Sequence, residues 1–543
     1  MKKMLIASIG KDVHIAGIYN FMKIASNEGY EVTNLGSAVD LDTFISEIKK
    51  RDFDIVALSY RLGKESCRNL LNELYERLEQ KGLLERTYIF GGTVETGQIA
   101  KEFDFIDEVF DGSESEEDIR VYLRKTDTKE KTHSKPPQDL TDRIEWKKPD
   151  PLIRHHIGLS TVEKTYKNIK KLADSELLDI VSLAPDQNCQ EYFFEQDKMN
   201  PSEDGAGGVP VRSEEDLEKL FEATRRGNHP LMRCYSGTNN LIDFGKILKN
   251  TINNAWAAIP LTWYSDLDRR SEKDLLDGIK EKQKAIEWHG NNNIPVEVNE
   301  SHQWALRYAH DALEVATAYI TAWNAKKLGV NDFIQQLMLC TPPTISPKMD
   351  LAKMMAKKEL LNELENEDFR IYYMIRNGLL SLPADPDKAR SQMCNTIMYG
   401  LYLNPDIVHV AAYCESIERA TADEIIESVK MIKRTIRIFN QGMPNINQDK
   451  EIIKRKREII NDARLILDAI SELGENYTDP LTEPEVIFDA VKSGILDAPG
   501  LKGFSVARGE VNVVTRKGAN SPADKNGNIL SESERLESLD IYR

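Results

Sequence analysis

The first 125 residues alternate short apolar runs with stretches of helical spacing. The apolar runs are continuous, which is typical of strands buried on both faces. Strands of that kind, separated by helices, form a parallel sheet that carries helices on both sides and binds ligands at the carboxyl ends of its strands. The predicted strands are 4–9, 31–35, 54–59, 87–92 and 107–110, and the predicted helices are 14–28, 41–50 and 65–81.

Charge, hydropathy and cysteine usage exclude several classes of protein. The chain carries 72 Lys and Arg against 89 Asp and Glu, and a net charge of −17 disfavours a nucleic-acid partner. No apolar run is long enough to cross a bilayer. The six cysteines are scattered without a Cys-x-x-Cys pair, as in a cytosolic protein with reduced thiols. We therefore expect a cytoplasmic protein that acts on a small molecule, without a nucleic-acid or membrane partner.

Three further segments follow the first. Residues 126–160 are rich in Lys, Asp, Thr and Pro and predict a linker. Residues 161–470 return to strand–helix alternation, and several strands end in polar residues, which is typical of the active face of a (β/α)8 TIM barrel. An open doubly wound sheet would give the same local pattern. Residues 471–543 predict a small C-terminal appendage. The candidate barrel strands are 180–184, 231–235, 258–263, 295–299, 333–338, 408–413 and a further one near 379–383.

The motif Asp12-x-His14-x-x-Gly17 follows the first strand and opens the first helix. A histidine in such a loop can present one ring nitrogen to a metal while a neighbouring carboxylate fixes the other nitrogen. The glycine leaves room for a bulky group beside the start of the helix. Taken alone, a short polar loop with a surface histidine accounts for this pattern better than a metal ligand does.

Matching features follow the third and fourth strands, namely Ser59, Leu62, Gly91, Gly92 and Thr93. Together with the histidine loop, this pattern resembles the cobalamin-binding domain shared by B12-dependent mutases and methionine synthase, which has a flavodoxin-like, Rossmann-type sheet. The resemblance implies that His14 replaces the dimethylbenzimidazole of the cofactor as cobalt ligand and that Asp12 supports it. It also implies a channel for the displaced nucleotide, lined by the serine and glycine positions. Tyr60-Arg61 is bulkier than the residues common there.

The second region is similar to the barrel subunit of glutamate mutase, roughly from 207–211 to 342–343. The resemblance implies an adenosylcobalamin-dependent carbon-skeleton mutase, a radical isomerase, acting on a small amino or dicarboxylic acid. Arg233 would then clamp a carboxylate and Glu300 would pair with an ammonium group. The expected hydrogen-bonding neighbours are Tyr235, His302 and Asn299. That family uses three arginines, and the candidates for the other two are Arg212, Arg269, Arg270 and Arg307.

Two other functions compete with the mutase. One is a corrinoid-dependent methyltransferase, although the first strand begins too early for the helical cap that such proteins place before this domain. The other is a non-catalytic cobalamin-binding sensor. A barrel mutase commonly pairs with a second copy, so we expect a homodimer. Two further histidine positions have structural explanations. We expect His155 and His156 to lie together in a loop, and His409 to be a core residue whose hydrogen bonds are satisfied.

Overall fold

The computed structural model describes residues 2–114, 119–120, 122–123, 136–504 and 506–539. It divides the chain into two compact units, Met1–Ser134 and Lys135–Arg543. Each unit has hydrophobic clusters of its own. No helix in the described ranges is long and apolar enough to span a membrane.

The first unit is a five-stranded parallel sheet in the order β2-β1-β3-β4-β5. This order is that of flavodoxin-like sheets, and it confirms the predicted fold class. Its strands are β1 (Lys3–Ser8), β2 (Glu31–Asn34), β3 (Ile55–Ser59), β4 (Thr87–Gly91) and β5 (Glu108–Phe110), and its helices are α1 (Ala16–Asn27), α2 (Leu41–Lys50), α3 (Lys64–Gln80) and α4 (Val94–Ala100).

Both faces of this sheet are buried, as the continuous apolar strands predict. Along β1, Leu5 and Ala7 join one hydrophobic cluster, whereas Met4 and Ile6 join a second cluster on the opposite face. Successive side chains of a strand point to opposite faces, so both sets are removed from water only when helices cover both sides. The loops at the carboxyl edge are thereby left as the accessible binding surface.

The second unit is built on eight parallel strands in the order β8-β7-β6-β13-β12-β11-β10-β9. This nearly closed ring of consecutive strands confirms the predicted TIM barrel. The strands are β6 (Leu152–Ile157), β7 (Ile180–Leu183), β8 (Leu231–Cys234), β9 (Ala257–Ile259), β10 (Val296–Val298), β11 (Asp332–Leu339), β12 (Arg370–Asn377) and β13 (Ile407–His409).

Helices surround the barrel, and further helices and a hairpin follow it. In chain order these elements are α5 (Leu140–Lys147), α6 (Val162–Asp174), α7 (Gln187–Tyr192), α8 (Glu214–Glu222), α9 (Leu241–Ile252), α10 (Leu275–Asn291), α11 (Ser301–Ala305), α12 (Asp311–Lys327), α13 (Pro347–Asn362), α14 (Pro386–Gly400), α15 (Ala422–Asn440), α16 (Lys450–Leu473), α17 (Pro484–Lys492), β14 (Asn512–Arg516), β15 (Ala519–Ala523) and α18 (Glu532–Glu537). The hairpin β14–β15 is attached to the barrel helices, since Asn520 N donates to Asp311 Oδ2 at 3.1 Å.

The barrel is open along the line between β8 and β9. Within the described strands, these two form no ladder with each other. Two bonds span the opening instead: Ala255 N donates to Met232 O at 2.9 Å, and the side chain of Asn254 accepts a hydrogen bond from Cys234 N at 2.9 Å. A side chain thus satisfies a backbone donor that a ladder would otherwise satisfy.

The barrel begins earlier than the sequence suggests. Its first strand β6 and the preceding helix α5 both lie in the segment 126–160, which was expected to be a linker; residues 126–135 lie outside the described residues. Leu140 and Ile144 of α5 pack against Leu152 and other residues of the barrel strands. The strand escapes pattern recognition because its central residues are Arg and His, which a barrel interior accommodates and an ordinary sheet core does not.

The prediction of a strand near 379–383 is wrong. That segment contains a 3₁₀ helix, Leu379–Ser381, and the corresponding barrel strand is β12, which ends just before this helix. β12 carries Arg376 and two tyrosines among its apolar residues, so its pattern is less apolar than that of its neighbours.

Candidate functional site

The loop after β1 holds the His14 ring in a defined orientation. Asp12 is fully buried, and its Oδ1 lies 2.7 Å from His14 Nδ1 and accepts a hydrogen bond from His14 N at 3.0 Å. Its Oδ2 accepts one from Arg61 N at 2.7 Å. The imidazole itself is 53% exposed. Because the carboxylate accepts the Nδ1 proton, Nε2 carries the free lone pair, which is the arrangement of a metal-binding histidine with its supporting acid.

Apolar side chains stand exposed in the same set of loops. Val13 and Ile15 flank the histidine, Leu62 follows β3, and Val94 opens the helix after β4. The bond from Arg61 N to Asp12 joins the loop after β3 to the histidine loop. Exposed aliphatic side chains at one edge of a domain are typical of a binding surface.

A cavity of about 280 Å³ opens at the carboxyl ends of β1, β3 and β4. Gly17, Ser59, Gly91 and Gly92, which the sequence singled out, all line it. A Cβ added at Gly17 would meet no atom within 4 Å, so this glycine leaves the cavity open. The pattern missed Phe21 of α1, a cavity-lining aromatic without a motif of its own.

The other expected positions have local roles. A Cβ at Gly92 would lie 2.4 Å from Thr96 Oγ1, so this glycine permits close packing of strand and helix. Thr93 caps α4 in a reciprocal arrangement with Thr96. The bulk of Tyr60 is not an obstacle, because its ring is buried in the core of the unit.

Polar side chains fill the interior of the barrel. Arg154 of β6 contacts Met374 of β12, and Arg233 of β8 reaches Glu297 of β10. Neither pair of strands is adjacent in the sheet. Side chains from non-adjacent strands can meet only inside the ring, so these residues form an internal polar layer.

Arg233 is the only one of the expected substrate-binding arginines found in this interior layer. It is completely buried, and none of its three side-chain nitrogens has a hydrogen-bond partner. Its nearest carboxylate oxygen is Glu297 Oε2, at 3.6 Å. Its guanidinium lies over the rings of Tyr235 and Trp256, at 4.6 and 5.0 Å. A buried guanidinium with unmade hydrogen bonds is costly unless a ligand pairs with it.

Two arginines that the sequence did not single out lie nearby. Arg154 donates to Ser182 Oγ at 2.6 Å, and Arg376 has an unpartnered buried Nε. Burial and then the positive charges of Arg233 and Arg376 hold the pKa of Arg154 well below its ordinary value. The signal that could have found them is an ionisable residue inside an otherwise apolar strand, at 154 and again at 376.

The prediction of a loop pair is wrong for His155 and His156, which lie in β6. His409 is a buried strand residue, as predicted, but its Nδ1 has no hydrogen-bond partner among the described residues. His156 Nε2 lies 2.7 Å from an Arg154 nitrogen and 3.0 Å from Tyr235 Oη. Arginine only donates, so Nε2 is the acceptor. Burial and the neighbouring arginines hold the pKa of His156 far below its ordinary value, and the ring is neutral.

Glu300 already has a complete set of protein donors. Its carboxylate accepts hydrogen bonds from Leu261 N, Thr262 N, the Thr262 hydroxyl and Trp304 Nε1. Burial raises the pKa of Glu300 despite these bonds. The carboxylate closest to Arg233 is therefore Glu297, which the sequence did not indicate.

His302 and Asn299 follow β10 and are both buried. Burial, followed by the positive charges of Arg376 and Lys357, keeps the pKa of His302 well below its ordinary value. Asn299 Oδ1 has no hydrogen-bond partner and is available to a ligand.

The remaining arginine candidates have protein partners. Arg212 pairs with Asp186 at 2.7 Å, and Arg269 donates to Gly503 O. Arg270 and Arg307 share Asp268 as a carboxylate partner. Among the described residues, Arg154 and Arg376 have no carboxylate partner, and Arg233 has only Glu297.

Comparison with known proteins gives two findings on sequence. A family model described as "B12 binding domain" matches residues 2–118. The glutamate mutase sigma subunit 1 of Haloarcula marismortui is 32% identical over 99 residues, which are 18% of this chain and 62% of that protein. The chain thus spans less than two thirds of this relative.

Two solved structures are also similar. One is a cobalamin-binding protein from Desulfitobacterium hafniense DCB-2, with 22% identity, a TM-score of 0.20, and coverage of 23% of this chain and 58% of that one. The other is the cobalamin-dependent S-adenosylmethionine radical enzyme OxsB, with 12% identity, a TM-score of 0.18, and coverage of 90% and 70%. TM-scores this low support no inference about function. The family match, together with the histidine loop and its cavity, identifies the N-terminal unit as a B12-binding domain homologous to the glutamate mutase sigma subunit.

Proposed function

We propose that the chain is an adenosylcobalamin-dependent carbon-skeleton mutase acting on a small organic acid. The observation that carries the proposal is the Arg233 guanidinium, buried in the barrel with no hydrogen-bond partner, in a chain that also has a B12-binding domain. One unit would hold the cofactor, and the other would hold an anionic substrate.

The residues of the N-terminal unit fit cobalamin. His14 presents Nε2 to solvent and is fixed through Nδ1, exposed aliphatics surround it, and a cavity extends inward past Gly17. His14 would be the cobalt ligand, Asp12 its supporting acid, and the cavity the place of the nucleotide. When bound, adenosylcobalamin supplies a carbon-centred radical through its cobalt–carbon bond.

The barrel residues would position the substrate. Arg233, Arg154 and Arg376 provide charged donors for carboxylates, which guanidinium groups bind in a bidentate manner. Tyr235, held by His156, and Asn299 would bond to the polar groups between the carboxylates. Radical rearrangement requires rigid positioning and exclusion of water rather than a strong base. The buried interior and its neutral histidines suit that task.

The proposal is tested with the full chain loaded with adenosylcobalamin and mixed with a panel of small acids. We expect an acid-dependent EPR signal and, by ¹³C NMR of labelled acid, a product with a rearranged carbon skeleton. With methylcobalamin in place of adenosylcobalamin, transfer of its methyl group to an added thiol or pterin would instead establish a methyltransferase. Tight cobalamin binding without conversion of any acid would indicate a sensor and contradict the mutase.

Filling the cavity at Gly17 should weaken cobalamin binding. In Gly17→Leu the new side chain would project into the space beside α1, since no atom lies within 4 Å of the added Cβ. We expect affinity for cobalamin to fall by about five- to a hundredfold, as overfilling a packed interior costs about 1–3 kcal/mol. Affinity is measured by ultrafiltration, with cobalamin absorbance as the readout.

Two controls accompany this variant. Cobinamide, which lacks the nucleotide, is the control ligand for Gly17→Leu, and Lys23→Leu on the same helix is the control variant for cobalamin. Neither control should show a comparable loss of affinity. Equal weakening of cobinamide and cobalamin would show that the cavity does not receive the nucleotide.

A further inference from the structure

We infer that the barrel binds a substrate with two anionic groups and no ammonium group, an inference that rests on the proposed function. It follows from the balance of charges inside the ring. An amino acid requires a free carboxylate for its ammonium group, whereas a dicarboxylate requires only cations. The described interior residues include cations for two carboxylates but no free carboxylate for an ammonium group.

The cationic side consists of Arg154, Arg233 and Arg376. Among the described residues, their one ion pair is that of Arg233 with Glu297, at 3.6 Å. Glu300 faces the buried Lys282, whose positive charge offsets it. The three guanidinium groups and the remaining carboxylate, Glu297, therefore leave an excess of two positive charges. Arginine does not lose its proton in proteins, so this excess persists at neutral pH until anions enter.

The neighbouring histidines do not change this balance. Burial and the adjacent arginines hold the pKa values of His156 and His409 far below the ordinary range, so both rings are neutral. His302 is neutral for the same reasons. They contribute hydrogen bonds but no charge.

Neither interior carboxylate is free for an ammonium group. Glu300 accepts hydrogen bonds from two backbone amides, a hydroxyl and an indole, which occupy both of its oxygens. Glu297 accepts from Trp256 Nε1 at 2.9 Å with the same Oε2 that faces Arg233. An ammonium group beside Glu297 would also stand next to the positive charge of Arg233.

The other unpartnered groups in the ring are neutral. Asn299 Oδ1 and Gln336 Nε2 are buried without partners. Amides bond to hydroxyl, carbonyl or carboxyl groups without selecting a charge. They would fix the orientation of the acid, while the arginines select its charge.

The test compares ligands that differ only by the amino group. The full chain without cofactor is titrated by calorimetry at pH 7.5 with succinate and L-aspartate, then with glutarate and L-glutamate. We expect at least one dicarboxylate to bind at least about tenfold more tightly than its amino counterpart, a factor that corresponds to one added like-charge contact at a few ångströms. Equal or tighter binding of the amino acids, or no binding of either class, would overturn the inference.

Two variants locate the effect. Arg233→Gln should weaken dicarboxylate binding by at least about thirtyfold, as loss of one member of a buried charge pair does, whereas Arg464→Gln on the surface should have no effect. Glu297→Gln keeps an acceptor for Trp256 and removes the negative charge that faces Arg233, so dicarboxylates should bind at least about threefold more tightly. Weaker dicarboxylate binding by this variant would contradict the inference. Circular dichroism confirms that each variant is folded.

The outcome separates this inference from the proposed function. Dicarboxylate binding without rearrangement in the loaded enzyme would support this inference and contradict the mutase function. Rearrangement of an amino acid would support the mutase function and contradict this inference.

Discussion

Replacing His14 with glycine should weaken cobalamin binding by at least about a hundredfold, because even loss of a residue that only supports a metal ligand costs 10–100-fold. The structure leaves its Nε2 free and fixes the ring through Asp12. Affinity is measured by ultrafiltration. The EPR spectrum of the Co(II) form of the wild type, with ¹⁵N-labelled histidine, should show coupling to one imidazole nitrogen that is missing in the variant. Added free imidazole should restore part of the binding.

Asp12→Asn tests the supporting acid separately. The amide keeps one acceptor oxygen but loses the charge that raises the basicity of the ring, so we expect an intermediate loss of about tenfold. Asp42→Asn, an exposed acid that pairs with Arg77 on the same unit, is the matched control and should bind normally. Unchanged affinity in His14→Gly would show that the cofactor is held in another way.

Replacing Glu314 with leucine should destabilise the barrel by about 3–5 kcal/mol, the usual cost of leaving a buried charge without its partner. Glu314 pairs with Lys353 at 2.7 Å and with Lys357 at 2.5 Å, and both lysines are fully buried. After the substitution, the described contacts leave Lys353 only Asp350, at 3.8 Å, and Lys357 no carboxylate. The unfolding free energy is measured in urea by tryptophan fluorescence, since all six tryptophans lie in the second unit.

The difference should also depend on pH. Burial alone would raise the pKa of Glu314, but the two lysines hold it below its ordinary value of 4.5. A carboxylate with a lowered folded-state pKa stabilises the protein above the unfolded value, and this contribution is lost as the pH falls through the folded value. The gap between wild type and variant should therefore narrow in acid. Glu363→Leu, which removes a half-exposed partner of Arg464, should cost less than about 1 kcal/mol. An equal loss of unfolding free energy in Glu314→Leu and Glu363→Leu would contradict the stabilising role of Glu314.

The N-terminal unit was predictable from sequence because its signals are local. Continuous apolar strands define the sheet, and the motif places Asp12 and His14 in the loop after β1 and Gly17 in the first turn of α1. The bond from Asp12 to Arg61 N was not predictable, because it joins positions 49 residues apart through a backbone amide of any residue type.

The barrel interior was less predictable for a physical reason. Its polar residues come from strands that are distant in sequence, and the ring brings them together only once it closes. In the sequence, Arg154 and Arg376 interrupt the apolar pattern of a strand. In the folded barrel, both lie in the interior near Arg233. Glu300 shows the opposite failure, since its type and position suggested a ligand contact while its oxygens serve the neighbouring loop.

If a dicarboxylate binds in the barrel as proposed, the opening between β8 and β9 would make the stability of the barrel depend on that ligand. Arg233 belongs to β8, and its nearest carboxylate, Glu297, belongs to β10 on the far side of the opening. A dicarboxylate that binds Arg233 and also residues beyond β9 would connect the strands on the two sides of the opening. Since ligands that bind only the folded state raise its stability with their concentration, the melting temperature of this unit would report the occupancy of the barrel.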